Sequence, residues 1–169
     1  PWDGEASGAL KVRGPWVAKG YYGLSDVPGD DGCPVDENGW VDTGDVASIS
    51  ADGFLKITDR TKDVIKSGGE WISSIEIENA AVNHEDIAEA AVIGRYHPKW
   101  TERPLLICVL QEGKSLSSEE VLEFLKDKLH KMAIPDAVEF IDELPHTATG
   151  KINKLGLRQT FENYEFPSD

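Results

Sequence analysis

The sequence predicts a small α+β protein. A short all-β piece comes first, and a small, mixed, three-layer-like domain follows, in which helices pack on a sheet. Three observations support this prediction. Short strands separated by glycine turns fill the first third of the chain. The segment "TDRTKD", residues 58–63, is charged and contains no apolar residue. Beyond this segment, apolar strands alternate with segments that carry helix-capping signals.

The first third of the sequence predicts β-structure. The segments "ALKVRG" and "WVAKGYYG" are typical of short strands beside glycine turns. The clearest hairpin has "DVASIS" and "FLKIT" as period-2 strands on either side of Ala51-Asp52-Gly53. We therefore expect a small antiparallel sheet in this part of the chain.

The remainder of the sequence predicts helices between strands. Serine precedes glutamate by three residues at Ser73 and again at Ser117, which is the spacing of a capping box and predicts two helix starts. The second of these helices carries an apolar stripe formed by Val121, Leu122, Leu125 and Leu129. The predicted strands are "VIK", "EWI", "EAAVIGRY", "PLLICVLQ" and "AVEFID", and "LGLRQTFENY" predicts a closing helix.

Composition and charge exclude several classes of function. The chain has 169 residues, with 17 lysines and arginines against 31 aspartates and glutamates, so its formal net charge is −14. That balance argues against nucleic acid and against an anionic membrane surface. No apolar stretch approaches the length of a membrane helix, so we expect no transmembrane segment.

The cysteines and histidines do not form a ligand pattern. Cys33 and Cys108 are far apart, and Cys108 lies in the apolar run "PLLICVLQ", so we expect a buried thiol there. Neither the cysteines nor the four histidines have metal-ligand spacing. We therefore expect no metal site and a reducing, cytoplasmic location. The chain starts "PWDGEASGAL", without an initiator methionine, and we expect it to be part of a larger protein.

Two candidate site residues lie in the β-rich part. Asp45 follows Thr43-Gly44, and a carboxylate on a glycine turn can accept two hydrogen bonds from a vicinal diol such as a ribose. An ordinary Asx-turn is the alternative. Arg60 can bind a diol or a phosphate, but it can equally form a surface ion pair with Asp59 or Asp63.

Two further segments are candidates in the second part. In "KSGGEW", the two glycines allow a ligand to approach the backbone closely, although a hairpin turn is the alternative. We expect Trp71 in the core, and Trp100 either in the core or over a ligand. The polar segment "ELPHTATGKINK" places Lys151 directly after Gly150. It suits either a solvated turn or a lysine that meets a phosphate or a carboxylate.

The order and spacing of these motifs carry a family resemblance. "GALKVRGPWVAKGYY", "GWVDTGD", "GFLKITDRTKDVIKSGGEWISSIEIE" and "LPHTATGKINK" together resemble the adenylate-forming acyl-CoA synthetases. That superfamily also contains luciferases and the adenylation domains of peptide synthetases. The segments "SGGEWISSIEIENA" and "HPKWTERPLL" are most similar to the medium- and long-chain fatty acyl-CoA ligases.

The resemblance implies a domain organisation and an adenylation site. Residues 1–60 correspond to the end of the large N-terminal domain, residues 61–169 correspond to the C-terminal lid, and Lys62 takes the hinge position. By their place in the motifs, Asp45 and Arg60 would bind the ribose of ATP or AMP. Lys151 would bind the nucleotide too and would be the catalytic lysine.

A second set of residues is implied for coenzyme A. Ser67, Gly68 and Gly69 would line the channel that the pantetheine arm enters with their backbone groups, and Lys66 matches a lysine that some relatives use in this second step. Arg103 and Arg95 are weaker candidates for the coenzyme A phosphates, and surface charge is the alternative for both arginines.

The resemblance also implies substrates and cofactors. These are a fatty acid, ATP and coenzyme A, together with Mg²⁺ held mainly by the large domain. We expect the chain to be inactive alone and to be capable of homo-oligomer formation. Two other hypotheses remain open. One is a free-standing module that binds a nucleotide, coenzyme A or a carrier protein. The other is the lid of an amino-acid adenylation domain.

Overall fold

The chain is divided into two compact units. The computed structural model describes residues 1–25, 27–28 and 32–167. The first unit is Pro1–Lys62 and the second is Asp63–Asp169. The strands are β1 Gly8–Val12, β2 Val41–Ile49, β3 Leu55–Arg60, β4 Ile65–Ser67, β5 Glu70–Ile72, β6 Ile87–His97, β7 Thr101–Leu110 and β8 Ala137–Phe140. The helices are α1 Ser74–Ala81, α2 Ser118–Lys126 and α3 Lys154–Thr160, with a 3₁₀ turn at Lys131–Ala133.

The first unit contains a three-stranded antiparallel sheet in the order β1-β2-β3. The predicted hairpin forms as β2 and β3, and its turn contains Gly53, whose φ is +84°. The strand predicted from "WVAKGYYG" is wrong, because residues 16–23 adopt turns and bends. Trp16 is 97% exposed there, so the segment has no buried face to support a strand.

The second unit is built on a five-stranded mixed sheet. The strand order is β5-β4-β7-β6, and β8 pairs with β7 in parallel. The hairpin of β6 and β7 is its longest element, with register pairs from Ile87 and Leu110 to His97 and Thr101. Both faces of β7 are buried, because its alternate residues enter two separate cores.

The helices lie on opposite faces of this sheet. Val121 of α2 and Ile77 of α1 pack in one core with Leu106. Leu157 of α3 packs in the other core with Leu105 and Ile93. A helical layer, a sheet and a second helical layer follow one another, which confirms the predicted small mixed domain. Each apolar helix face has a sheet face to cover it.

The capping signals correctly predict the two helix starts. The Ser73 hydroxyl accepts a hydrogen bond from the Glu76 backbone N–H at the start of α1. At the start of α2, Ser117 and Glu120 form a complete capping box. Val121, Leu125 and Leu129 of the predicted stripe are buried, as expected for an amphipathic helix.

Two apolar residues have different environments. Cys108 is fully buried in β7, and this burial raises the pKa of its thiol to about 12, so it is a core residue and not a nucleophile. The predicted core position of Trp71 is wrong, because its side chain is 47% exposed. Trp71 lies on the short edge strand β5, where its neighbour Ile72 faces the core and strand alternation points Trp71 outward.

Candidate functional site

Lys151 lies in a tight hairpin directly before α3. Thr147 and Lys151 close the hairpin, with the Thr147 N–H donating to the Lys151 carbonyl at 2.7 Å. The Gly150 N–H donates to the Thr147 carbonyl at 2.9 Å, and Gly150 has a φ of +78°. That backbone angle favours glycine, which explains why a glycine precedes the lysine. His146 and Ile152 form a β-bridge below the turn.

The Lys151 side chain is exposed and available to a ligand. Residues 147–151 are all exposed, so the hairpin projects from the second unit. Among the residues that the structure describes, Lys151 Nζ has no ion-pair partner. The backbone around it is nevertheless ordered by hydrogen bonds, and the Lys151 N–H also donates to Thr147 Oγ1 at 3.3 Å. The hairpin thus presents a cation at a fixed turn.

Asp45 and Arg60 are brought together in the first unit. They are register partners on β2 and β3, and Arg60 Nε lies 3.0 Å from Asp45 Oδ1. Arg60 Nε also donates to the Gly44 carbonyl at 3.3 Å. The Arg60 side chain is 53% exposed and that of Asp45 is 22% exposed. Both can therefore still meet a polar ligand such as a diol.

The turn that carries Asp45 is shaped by Gly44. Gly44 has a φ of +72°, and a Cβ there would lie 3.4 Å from the Arg60 guanidinium. The Asp45 N–H donates to Thr43 Oγ1 at 3.1 Å, and the Gly44 N–H donates to Asp42 Oδ1 at 2.8 Å. These are the bonds of an Asx- or ST-type turn. The local turn and the exposed ion pair coexist at this position.

The two glycines of "KSGGEW" form the turn between β4 and β5. Gly68 has a φ of +57° and Gly69 a φ of +91°. A Cβ on Gly68 would lie 2.8 Å from the Trp100 ring, and the Gly68 N–H donates to the Trp100 carbonyl at 2.9 Å. Gly69 has no other group within 4 Å of an added Cβ. One glycine is therefore needed for packing, and the other leaves open space beside the turn.

Lys66 and Ser67 point to different environments. Lys66 is exposed on β4, and its backbone N–H donates to Glu102 Oε2 at 3.0 Å. Ser67 is fully buried, and its Oγ accepts from Arg103 Nη1 at 3.2 Å. Its role at a ligand channel is thus restricted to its backbone as the protein is arranged here. No local pattern in the sequence predicts the contact between Glu102 and the Lys66 N–H.

Arg103 is buried and makes several hydrogen bonds within the second unit. Its residue is only 7% exposed, and its Nε and Nη2 lie 2.7 and 2.6 Å from Asp136 Oδ1. Nη1 donates to Ser67 Oγ and to the Met132 carbonyl at 2.8 Å, and Nη2 donates to the Ile134 carbonyl at 2.9 Å. All the donors of the guanidinium are engaged. None is left for the coenzyme A phosphate expected from the sequence.

Arg95 is also engaged within the protein. Its Nη2 donates to the Glu162 carbonyl in the segment after α3. Lys62 is exposed at the last position of the first unit.

Within the described ranges, no cluster of three His, Cys, Asp or Glu side chains is arranged to hold a metal ion. No helix in the described part of the chain is long and apolar enough to cross a membrane.

Sequence reasoning missed two partly buried ion pairs around α3. Lys154 Nζ lies 2.7 Å from Glu78 Oε1, and Arg158 Nη2 lies 2.7 Å from Asp63 Oδ1. The available signal was the spacing of the two cations, since residues four apart share one helix face. Asp63, considered in the sequence as a partner of Arg60, pairs with Arg158 instead.

These features define a small domain of three layers with an exposed lysine on a glycine-closed hairpin. Residues 76–151 match the family described as the AMP-binding enzyme C-terminal domain. The matched residues all lie in the second unit. The family resemblance stated from the motifs is confirmed.

The homologues are acyl-CoA ligases. The chain is 51% identical over 163 residues to a 3-methylmercaptopropionyl-CoA ligase of Ruegeria lacuscaerulensis, a match that covers 96% of this chain and 29% of that protein. It is 48% identical over 161 residues to a medium-chain-fatty-acid–CoA ligase of Ectopseudomonas oleovorans, covering 95% of this chain and 28% of that protein. The chain therefore spans less than a third of the length of these relatives.

A solved structure shows the same fold. The crystal structure of ATP-bound MatB from Rhodopseudomonas palustris matches with a TM-score of 0.82 at 30% identity. The match covers 94% of this chain and 31% of that protein. The likeness therefore extends across nearly the whole of the present chain.

Proposed function

We propose that this chain is the C-terminal region of an acyl-CoA ligase that forms an acyl-adenylate and then an acyl-CoA thioester. The observation that carries the proposal is the exposed Lys151 on an ordered hairpin, which has no ion-pair partner among the described residues, in a unit whose residues 76–151 match the AMP-binding C-terminal family. We take residues 1–60 as the end of the large domain and residues 61–169 as the lid. The division of the structure after Lys62 supports a hinge at that residue.

In the first half-reaction, a carboxylate oxygen attacks the α-phosphorus of ATP and pyrophosphate leaves. Negative charge gathers around the α-phosphate and the attacking carboxylate. The role of Lys151 is to offset that charge with its ammonium, which no acidic group among the described residues pairs with. Because the turn is held by hydrogen bonds, the backbone that carries the cation is already ordered when the substrates bind.

Asp45 and Arg60 would hold the ribose of the nucleotide. The Asp45 carboxylate can accept hydrogen bonds from two vicinal hydroxyls, and the exposed Arg60 guanidinium can donate to the same group. Their mutual ion pair at 3.0 Å fixes the carboxylate before the nucleotide arrives. Binding then needs little rearrangement on this strand pair.

In the second half-reaction, the thiol of coenzyme A attacks the acyl carbonyl and AMP leaves. We assign the pantetheine channel to the turn of Gly68 and Gly69, with Lys66 beside it. The open space at Gly69 and the exposed Lys66 side chain support this assignment. Arg103 is assigned a supporting role behind Ser67, because its donors are engaged inside the domain.

For the acyl substrate, we propose a fatty acid. The support is similarity to a medium-chain-fatty-acid–CoA ligase at 48% identity. The 3-methylmercaptopropionyl-CoA ligase is similar at 51%, so a short or sulfur-containing acid is the outcome that would correct the proposal. Mg²⁺ is assigned mainly to the large domain. The cytoplasmic location and homo-oligomer formation remain predictions.

The test of the proposal is Lys151→Ala in the full-length ligase that contains this chain. ATP–pyrophosphate exchange with a fatty acid should fall on the order of 100- to 1000-fold, as expected when a preorganised charge is removed from a transition state. Thioester formation from supplied acyl-adenylate should persist, because the lysine acts only on the first step. Rapid-quench measurement of each half-reaction separates the two effects.

The matched control is Lys131→Ala, which removes another exposed lysine of the same unit. It should leave both half-reactions intact. If Lys151→Ala also leaves both intact, the assignment of the catalytic lysine is wrong. Pyrophosphate exchange by the 169-residue chain alone, or tight binding of coenzyme A to it in calorimetry, would favour a free-standing module instead.

A further inference from the structure

The orientation of the Lys151 hairpin depends on α3. The helix begins at Lys154, three residues after Lys151. Asn153 joins the two elements, since its N–H donates to the Pro145 carbonyl at 2.7 Å and its Oδ1 accepts from the Gly156 N–H at 3.1 Å. A shift of α3 along the sheet therefore moves the base of the hairpin with it.

Within α3 itself, apolar packing depends on one residue. The helix has seven residues, and only Leu157 is fully buried in the core beneath it. So short a helix has little stability of its own. Apolar contact is also non-directional, so it holds the helix on the sheet without selecting one position along it.

The first charged contact of α3 is made by Lys154. Its Nζ lies 2.7 Å from Glu78 Oε1 and donates to Ser74 Oγ at 2.7 Å, so it connects α3 with α1. The side chains of Lys154 and Glu78 are only 14% and 16% exposed. Glu78 Oε1 also accepts from the Val92 N–H at 2.7 Å, which ties the carboxylate to β6.

The second charged contact is made one turn later by Arg158. Its Nη2 donates to Asp63 Oδ1 at 2.7 Å, with side-chain exposures of 26% and 11%. Asp63 is the first residue of the second unit and directly follows Lys62. This hydrogen bond connects the helix behind Lys151 with the start of its unit, across 95 residues of sequence.

We propose that these two contacts form a positioning clamp, which we call the α3 clamp: Lys154 with Glu78, and Arg158 with Asp63. The clamp fixes α3, and through it the Lys151 ammonium, relative to the segment that follows Lys62. Charged, partly buried hydrogen bonds have the directionality that the apolar contacts lack. The inference rests on the proposed function, because it assigns the clamp to the adenylation step that uses Lys151.

The experiment measures both half-reactions in the full-length ligase carrying Arg158→Met or Asp63→Asn. Adenylation should lose kcat on the order of 10- to 100-fold, the effect expected when a catalytic group is displaced by about 1 Å. The KM for ATP should change little, since the ribose contacts lie in the first unit. Thioester formation from supplied acyl-adenylate should be unchanged.

Two further variants separate positioning from general stability. Arg158→Lys keeps the charge and should recover much of the adenylation rate, and the exchanged pair Asp63→Arg with Arg158→Asp should be faster than either of its single components. The matched control is Lys126→Met, which removes an exposed ion pair with Glu123 on α2. It should leave adenylation unchanged.

The outcomes distinguish this inference from the proposed function. If Lys151→Ala abolishes adenylation while the α3 clamp variants do not affect it, the clamp is overturned and the proposed function stands. Equal losses in both half-reactions, with no recovery by Arg158→Lys or by the exchanged pair, would also overturn the clamp. If Arg158→Met and Asp63→Asn do not fold, Arg158→Lys and the exchanged pair test the α3 clamp instead. The rates of adenylation and of thioester formation are then measured in those variants.

Discussion

Arg103 is fixed by hydrogen bonds within its own unit. Its guanidinium joins β7, the Ser67 hydroxyl, Asp136 and two carbonyls around the 3₁₀ turn. Sequence alone could suggest a phosphate ligand, because an arginine near a glycine loop in an acidic chain suits that role. Burial decides otherwise, since a buried guanidinium is stable only when its donors are satisfied.

Thr101, which begins β7 and is the register partner of Ser67, carries backbone strain. It has a φ of +73° and is the one non-glycine residue with positive φ in the described ranges. A left-handed conformation costs a residue with a Cβ roughly 1–2 kcal/mol. Thr101→Gly should therefore raise the free energy of unfolding by about 0.5–1 kcal/mol, once the greater chain entropy of glycine is subtracted. Urea denaturation of the 169-residue chain measures this change.

Thr160→Gly supplies the opposite control for Thr101. Thr160 ends α3 and has no positive φ, so glycine there should lower the unfolding free energy. A loss of stability in Thr101→Gly as well would show that the threonine side chain contributes more than its backbone strain costs. The two variants together therefore measure the strain and not the general effect of glycine.

At the scale of elements, the capping box of α2 gives the chain a defined acid dependence. The Ser117 N–H and hydroxyl both donate to Glu120 Oε2, at 2.8 and 2.9 Å. These bonds, that of the backbone N–H most of all, lower the pKa of Glu120 below its ordinary value of 4.5. The folded chain therefore binds fewer protons than the unfolded chain between these two pKa values. Stability is present above the unfolded value and is lost as the pH falls through the folded one.

Glu120→Gln tests that dependence. The variant should be less stable than the natural chain at neutral pH, and the difference should shrink as the pH is lowered through the pKa of Glu120. Thermal unfolding midpoints across the acid range measure it. The control is Glu119→Gln, which removes a charge from the same first turn without removing a bond to Ser117. A difference that stays constant with pH would contradict the assignment.

The elements also show what sequence patterns can predict. The two helix starts, the β2–β3 hairpin and the long β6–β7 pair follow from capping, alternation and glycine turns, all of which are local. The predictions of a strand at residues 16–23 and of a buried Trp71 are wrong for the same reason. Both depend on which neighbours cover a segment, and neither an isolated apolar run nor a tryptophan specifies its neighbour.

The candidate site likewise contains residues that local motifs predict and residues that only the folded structure brings together. The motifs locate Lys151, Asp45 and the glycine turn, because each needs a particular residue type at a particular turn. The α3 clamp escaped sequence analysis, since Asp63 and Arg158 are 95 residues apart and only the folded sheet brings them together. Long-range ion pairs have no local pattern beyond the helical spacing of the cations.

At the scale of the whole molecule, the proposed hinge predicts an unequal effect of proline. Lys62→Pro would fix φ at about −65° and remove the backbone N–H. If the two half-reactions require different backbone angles at this residue, one of them should slow while the other keeps its rate. Separate single-turnover measurements on the full-length ligase give both rates.

Lys62→Ala is the control for the proline variant. It removes the side chain but leaves the backbone angles accessible, so the ratio of the two rates should stay at its natural value. An unchanged ratio in Lys62→Pro as well would place the hinge elsewhere. Equal slowing of both half-reactions would indicate a loss of folding and not a restricted rotation.

The closed turn of residues 147–151 has a consequence for the entropy of catalysis. Ordering five flexible residues would cost roughly 5–10 kcal/mol of backbone conformational entropy. In this chain, hydrogen bonds within the turn hold those backbone angles. Only the rotamers of one long side chain are left to be restricted when the ammonium meets the phosphate. Most of the conformational entropy that binding would otherwise remove is therefore already lost when the domain folds.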